Sequence, residues 1–383
     1  MKKIFAFKQL LILTVLVPLI TYPQGKKTKN RHDFQIIYNV ETTSVKNQGR
    51  TGTCWAFATS SFGETESIRL GKQKFDFSEM YIARRAYEMK AENYIRYHGK
   101  ANFDEGGQAH DVLLIMQKYG LVPEQAYPEI KNSKGILDHH EMVSVLKGIL
   151  SGVLRNSNRT ISTKWEKAFA AVLDVYMGKV PQEFMVNGKT YTPQSFAKYT
   201  GINPDDYVEI TSYTHHPFYT KFVLEVPDNW ANAEYYNVPI DDLVEIINNA
   251  LKNGYSVDWD GDTGHNNFYR KKDYAVVPVN NKSDKDKSSD DEKPEVEKFI
   301  TQEMRQIAFD DFDVTDDHLM QIVGLAKDQA GTKFYYTKNS WGTKGKKFNG
   351  YWYMSEPYIR LKTIAVMVHK NAIPSAIKLK LGL

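Results

Sequence analysis

The sequence has 383 residues, of which 42% are hydrophobic, enough for one large domain with insertions or for two or three average domains. Its formal net charge is only +4, and residues 1–24 contain three lysines and no acid, so little of that charge belongs to the rest of the chain. A nearly neutral body gives no electrostatic basis for binding nucleic acid, and we expect no nucleic-acid partner.

The amino-terminal residues have the charge layout of a secretory signal. Lysines precede an apolar run over 10–20, which is too short to span a bilayer comfortably. The terminal position and the flanking lysines favour export over a buried helix, so we predict a signal peptide over 1–24 and an exported protein, periplasmic or secreted in a bacterium. The alternative is an uncleaved membrane tether, because no A-x-A cleavage site lies near Gly25.

The following part of the chain, 25–134, is predicted to be mainly helical. After an extended segment over 34–45, small or apolar residues recur at helical spacing from Cys54 to Leu70. A second helix is predicted to begin after Ser78, and a third to end at Gly120.

The chain then changes character, and 135–235 is predicted to be a largely helical insertion with turns rich in Asn, Gly and Pro. An amphipathic helix is predicted over 239–253. The mixed-charge run over 282–298 has almost no apolar residue and indicates a solvated loop. The rest of 236–383 is predicted to be rich in β-structure, with strands over 320–326, 334–338, 350–354 and 364–369.

Cys54 is the single cysteine of the sequence, so the chain can form no internal disulfide. A lone cysteine is ordinarily a small buried hydrophobe, but this one follows a glycine-containing turn at the start of a predicted helix. The positive end of a helix dipole lowers a thiol pKa and favours the nucleophilic thiolate. The side-chain NH₂ of Gln48 and the backbone N–H of Cys54 would supply two hydrogen-bond donors for an oxyanion.

A histidine and an asparagine complete the predicted site. His318 lies where a polar turn meets an apolar strand, and Asn339 ends the next predicted strand. If these strands are neighbours, Asn339 accepts a hydrogen bond from one ring nitrogen of His318 while the other nitrogen faces the sulfur of Cys54. The three residues would then be the nucleophile, the base and the group that orients the base.

These segments resemble those of the papain-like cysteine peptidases. The family's local signature, C-G-[SA]-C-[WY], corresponds to 51–55, with threonine replacing the first cysteine and the small residue. The stretch 339–342 (Asn-Ser-Trp-Gly) resembles the family's asparagine segment, in which the tryptophan, here Trp341, shields the His–Asn hydrogen bond. Gly106 and Gly107 resemble the glycine pair whose backbone binds the substrate as an added strand.

The resemblance implies an α+β papain-like fold with two lobes. The helical lobe, 25–134, would carry Gln48 as oxyanion donor and Cys54 as nucleophile, and the β-rich lobe, 236–383, would carry His318 and Asn339. The helical insertion would lie at the rim of the cleft between them. The implied reaction is the hydrolysis of peptide bonds through a thioester, without a cofactor or metal.

Within that family the closer resemblance is to the bleomycin hydrolase and aminopeptidase C branch. It rests on 104–108, 118–123 and 315–318, and on the large insertion. This branch implies an aminopeptidase that acts on peptides and assembles as a homo-hexamer, with a carboxyl-terminal arm that enters the cleft. The chain departs from the branch in its predicted export and in its short tail over 375–383.

Three alternatives remain. An endopeptidase with an open cleft would also cut blocked peptides, and a peptide-binding module would keep the fold without the chemistry. An acyl transferase resembling transglutaminases is disfavoured by Asn339, because those proteins usually orient the base with an aspartate.

Two other segments were candidates for metal binding. Residues 258–264 have alternating acids but lack the glycine and the final glutamate of an EF-hand loop, so we predict an acidic loop beside the cleft that would favour basic substrate groups. His139 and His140 precede Glu141 but lack the ligand spacing of a zinc site, and His215 and His216 are expected to be surface or packing residues.

Overall fold

The computed structural model describes residues 31–156, 160–264, 267–279 and 294–383. The predicted signal peptide over 1–24 lies outside these residues, as does most of the charged run over 282–298. Within the described ranges no helix is both long and apolar enough to cross a membrane.

The first part of the chain is helical, as predicted. Helices α1 (Cys54–Arg69), α2 (Glu79–Arg96) and α3 (Ala109–Tyr119) pack around a common core. Helix α2 begins at a capped turn, because the side chain of Ser78 accepts a hydrogen bond from the backbone N–H of Tyr81. Helix α1 is buried almost all round, since it contacts the other helices on one side and the main sheet on the other.

The segment 135–235 is helical only in its earlier part. Helices α4 (His140–Leu154), α5 (Lys164–Met177) and α6 (Pro193–Thr200) extend the core of the helical lobe, with a hairpin of β2 (Phe184–Val186) and β3 (Lys189–Tyr191) between α5 and α6.

The prediction of a helical insertion is wrong for the later part of that segment. Strands β4 (Tyr207–Thr211), β5 (Lys221–Val223) and β6 (Glu234–Asn237) belong to the main sheet. The reason is that these strands are short, so each is fixed by pairing with distant parts of the chain rather than by a periodic pattern of its own.

One sheet of eleven strands forms the other half of the described structure, in the order β5-β6-β4-β13-β7-β10-β11-β12-β9-β8, with β1 also paired to β10. Its remaining strands are β1 (Gln35–Asn39), β7 (Val257–Gly261), β8 (Phe268–Tyr269), β9 (Tyr274–Ala275), β10 (His318–Lys327), β11 (Lys333–Lys338), β12 (Tyr351–Ser355) and β13 (Thr363–His369). The four strands predicted after residue 320 are confirmed as β10 to β13.

The sheet lies between two hydrophobic cores. One core belongs to the helical lobe and reaches the sheet at Leu319 and Met367. The other lies under the predicted amphipathic helix, α7 (Ile240–Lys252), and includes α9 (Glu356–Lys362) and α10 (Ser375–Lys380). Helix α8 (Gln302–Asp310) lies against α9. The last helix therefore packs against the body of the protein.

The predicted acidic loop over 258–264 is mostly a buried strand. Residues 257–261 form β7, which lies between β13 and β10 in the sheet. Asp258 and Asp260 are buried, at 1% and 3% exposure. Only the residues after Gly261 continue as a loop, in which Asp262 accepts a hydrogen bond from the backbone N–H of Gly264.

Candidate active site

Two distant segments are joined where the lobes meet. The backbone N–H of Gln48 donates to the carbonyl of Ser340 at 2.9 Å, and that of Gly342 donates to the carbonyl of Lys46 at 3.0 Å. These bonds place the segment before α1 directly against the segment after β11. The fold therefore brings the predicted cysteine and asparagine segments together through their backbones.

The turn before Cys54 is held by a glycine and by a carboxylate. Gly49 has φ +66°, and a Cβ at this position would lie 2.5 Å from the carbonyl oxygen of Leu137, so the turn requires glycine. The backbone N–H of Gly52 donates to Glu105 at 2.6 Å. The indole N–H of Trp55 donates to the carbonyl of the same glutamate at 3.0 Å. Cys54 is thus fixed at the first position of α1.

His318 and Asn339 are brought together by the pairing of β10 and β11. The strands are antiparallel neighbours that pair Gln321 with Lys338, so Asn339, the next residue, lies diagonally across from His318 at the start of β10. The imidazole Nε2 of His318 lies 2.9 Å from Oδ1 of Asn339. An imidazole that donates from Nε2 keeps Nδ1 free to accept a proton when the ring is neutral. The ring of Trp341 lies over that of His318, with centroids 4.7 Å apart.

A cavity of about 450 Å³ lies between the lobes. Cys54, His318 and Gln48 line it, together with the other predicted substrate-binding residues Gly106, Gly107 and Trp341. Asn339 is only 2% exposed and lies behind His318. The structure therefore collects the predicted site residues around one cavity large enough for part of a peptide.

The burial of Cys54 acts against the thiolate that the helix dipole is expected to favour. Burial raises the pKa of the Cys54 thiol well above its usual range, and the backbone N–H of Leu319 only partly opposes this. Burial likewise lowers the pKa of His318 to about 4, against the hydrogen bond to Asn339. Both shifts favour the neutral thiol and the neutral imidazole over their charged forms.

No hydrogen bond joins Sγ of Cys54 to His318 among the contacts of the described residues, although both side chains line the same cavity. Catalytic hydrogen bonds are often long in a site without substrate and shorten in the complex. The neutral imidazole is then the acceptor for the thiol proton during attack.

The side chain of Gln48 is held at both ends. Its Nε2 donates to the carbonyl of Thr51 at 2.8 Å, and its Oε1 accepts from the hydroxyl of Ser340 at 2.6 Å. One of the two N–H groups on Nε2 is used in this way. The second is available to a ligand oxygen in the cavity that Gln48 lines.

The sequence interpretation missed part of the cavity wall. Asp228 comes from the segment predicted to be helical, and His140 and Arg270 also line the cavity. None of the three belongs to a motif, so no local pattern could have indicated it. Carboxylates from 104–105 and 316–317 add to an excess of negative charge around the site.

His215, His216 and Glu225 are the group of described residues whose ligand atoms could surround a metal ion. Both imidazoles contact the carboxylate, at 3.2 and 2.8 Å. Gln306 accepts from the backbone N–H of Thr214, and its NH₂ therefore points at Nδ1 of His215, at 3.0 Å. This arrangement puts the proton of a neutral His215 on Nε2, the atom that faces Glu225, so the cluster is a hydrogen-bond network.

The model of the Peptidase C1-like family matches residues 82–382, which include His318 and Asn339 but not Cys54. Aminopeptidase W of Lactobacillus delbrueckii subsp. lactis is 26% identical to this chain over 385 residues, covering 88% of this chain and 83% of that protein. Aminopeptidase C of Streptococcus thermophilus is 23% identical over 394 residues, covering 91% of this chain and 85% of that protein.

The fold is similar to that of PepW from Lactobacillus rhamnosis HN001, solved as a crystal structure. The TM-score is 0.70 at 20% identity, and the match covers 91% of this chain and 84% of that one. The predicted α+β papain-like fold is confirmed by this similarity.

Proposed function

This chain belongs to the Peptidase C1-like family of cysteine peptidases, and we propose that it acts as an aminopeptidase through Cys54, His318 and Asn339. The observation that carries the proposal is the cavity lined by Cys54 and His318, with Asn339 hydrogen-bonded behind the imidazole. The names of the relatives, aminopeptidases W and C, support removal of residues from the amino terminus of a peptide.

The proposed reaction begins from the neutral pair. As Sγ of Cys54 attacks the scissile carbonyl carbon, the thiol proton passes to the unprotonated Nδ1 of His318. The hydrogen bond from Nε2 to Asn339 holds the ring in this tautomer and stabilises the imidazolium that forms.

The negative charge that develops on the carbonyl oxygen is proposed to be stabilised by the backbone N–H of Cys54 and the free N–H of Gln48. The imidazolium gives its proton to the amine as the peptide C–N bond breaks, which leaves a thioester on Cys54. A water molecule then attacks the thioester as one of its protons passes to His318, and the imidazolium returns this proton to Sγ as the C–S bond breaks and the carboxylic acid leaves.

We expect a fluorogenic aminoacyl substrate with a free α-amino group to be hydrolysed with a kcat/KM at least about 100-fold higher than its N-acetyl derivative. Steady-state rates on the matched pair measure this, and enzyme alkylated at Cys54 is the control. Equal hydrolysis of the acetylated substrate would show an endopeptidase with an open cleft. A protein whose thiol is alkylated stoichiometrically but which hydrolyses neither substrate would be a peptide-binding module.

We also propose that the protein is exported, on the basis of the lysines and the apolar run of residues 1–24. We expect the mature protein isolated from its native host to begin after this segment, which mass spectrometry of the amino-terminal peptide measures. A protein that keeps the segment and fractionates with membranes would instead be tethered.

The homo-hexamer implied by the resemblance remains part of the proposal. Light scattering on the purified protein measures the mass of the assembly.

A further inference from the structure

The loop that carries Asp228 forms part of the wall of the catalytic cavity. Oδ1 of Asp228 accepts from the side-chain NH₂ of Asn102 at 2.9 Å. Further along the loop, the carbonyl of Trp230 accepts from Asn93 of α2 at 3.0 Å, and its indole N–H donates to Asp111 of α3 at 2.7 Å. Contacts with both helices therefore fix the position of this carboxylate.

The carboxylate of Asp228 packs against Gly106, one of the two glycines proposed to bind the substrate backbone. A Cβ built on Gly106 would lie 1.9 Å from Oδ2 of Asp228, so the carboxylate is in contact with the glycine backbone. A peptide that followed Gly107 and Gly106 as an added strand would meet Asp228 as it continued. If the amino-terminal side of the substrate runs in this direction, it has to end near this carboxylate.

Asp228 also has an oxygen that the protein leaves unused. The other carboxylates in the wall accept at short distances, as in the bonds from Gly52 to Glu105 at 2.6 Å and from Gln108 to Asp316 at 2.7 Å. Oδ2 of Asp228 has no hydrogen-bond donor among the described residues. A carboxylate oxygen that faces the cavity without a protein donor can accept a charge-assisted hydrogen bond from a cationic ligand.

Two further carboxyl groups near Asp228 form a hydrogen-bonded pair. Asp260 is 3% exposed and shares a side-chain hydrogen bond with the carboxyl group of Asp316. Burial raises the pKa of Asp316 to about 8, and the charge of Asp228 adds to this, so the Asp260–Asp316 pair retains a proton near neutral pH.

The charge of Lys90 acts on Asp228, but the cations near this carboxylate direct their contacts to other groups. Lys90 is buried and donates from Nζ to the backbone carbonyls of Asp104 and Gly106, which holds the glycine loop in place. The guanidinium of Arg270 lies over the ring of Trp341, 5.0 Å from its centroid. Neither group is bonded to Asp228.

We propose that Asp228 binds the α-ammonium group of the peptide substrate and thereby selects free amino termini. The proposal rests on the peptidase function proposed above and identifies the residue that sets its specificity. An ammonium group supplies the missing donor to Oδ2 and a compensating positive charge, as a charge-assisted hydrogen bond. An N-acetylated substrate has no positive charge and no ammonium donor for Oδ2, and its acetyl group would collide with the carboxylate of Asp228.

Replacing Asp228 with asparagine tests this assignment. Asp228→Asn keeps an oxygen for Asn102 but removes the charge, so we expect kcat/KM for the free aminoacyl substrate to fall about 10- to 100-fold. We expect kcat/KM for the N-acetyl substrate to stay the same or to rise. The matched control is Glu225→Gln, which removes an exposed carboxylate from the same segment of chain and should leave both values unchanged.

The outcomes separate this inference from the proposed function. If the wild-type protein hydrolyses neither substrate, the proposed function fails. If it prefers the free substrate and Asp228→Asn keeps that preference, the assignment of Asp228 is wrong. An equal loss on both substrates, with the alkylation rate of Cys54 unchanged, would show that Asp228 only supports the loop and would also overturn the assignment.

Discussion

Replacing Cys54 with alanine is expected to abolish peptide hydrolysis while the protein still folds. Loss of a covalent nucleophile removes the acyl-enzyme pathway, and the effect in comparable hydrolases is a fall in kcat of at least about 10⁴-fold. Alanine is the most favourable residue for a helix, and Cys54 is the first residue of α1. The substitution therefore removes one sulfur atom without disturbing the helix that positions it.

The single cysteine makes the measurement simple. Thiol labelling by an alkylating reagent should fall from one group per chain to none in Cys54→Ala, since no other cysteine is present. Thermal unfolding of the variant and the wild-type protein is the control for folding. Cys54→Ser, which keeps the shape of the side chain with a poorer nucleophile, should be nearly as inactive. Normal turnover by a folded Cys54→Ala protein would refute the assignment.

The catalytic groups could be predicted because each lies in a short local pattern. A glycine-containing turn precedes the helix that begins at Cys54, and a polar turn precedes the strand that begins at His318. The approach of His318 to Asn339 depends on the pairing of β10 with β11, which could be proposed because the two predicted strands follow each other in the chain. The backbone hydrogen bond from Gln48 to Ser340 could not be predicted, because it joins segments from opposite ends of the chain.

Three features could not be predicted from the sequence, for physical reasons. Asp258 and Asp260 lie on either side of a buried tryptophan in a central strand. Aspartates are rarely buried in this way, so a sequence with alternating aspartates is more typical of an exposed loop. Asp228 reaches Gly106 only through tertiary packing. Burial raises the pKa of the Cys54 thiol, and the burial of a single side chain is not visible in a sequence.

Replacing Gln48 with alanine is expected to give the second-largest loss of activity. The variant lacks the side-chain donor proposed for the oxyanion, and removal of one such donor lowers kcat by about 10²- to 10³-fold. KM should change little, because the oxyanion exists only in the transition state and its intermediate. The backbone bond from Gln48 to Ser340 does not involve the side chain, so the two segments stay joined.

A matched variant distinguishes the amide of Gln48, the proposed donor, from the hydroxyl of Ser340 that holds it in place. Ser340→Ala removes the hydroxyl that donates to Oε1 of Gln48 but leaves Nε2 and its bond to Thr51 in place. If the Gln48 amide stabilises the oxyanion, Ser340→Ala should lose much less kcat than Gln48→Ala, because the donor is loosened rather than removed. Equal losses in the two variants, or a rise in KM at constant kcat, would mean that Gln48 positions the cysteine turn and that the Cys54 amide stabilises the oxyanion without it.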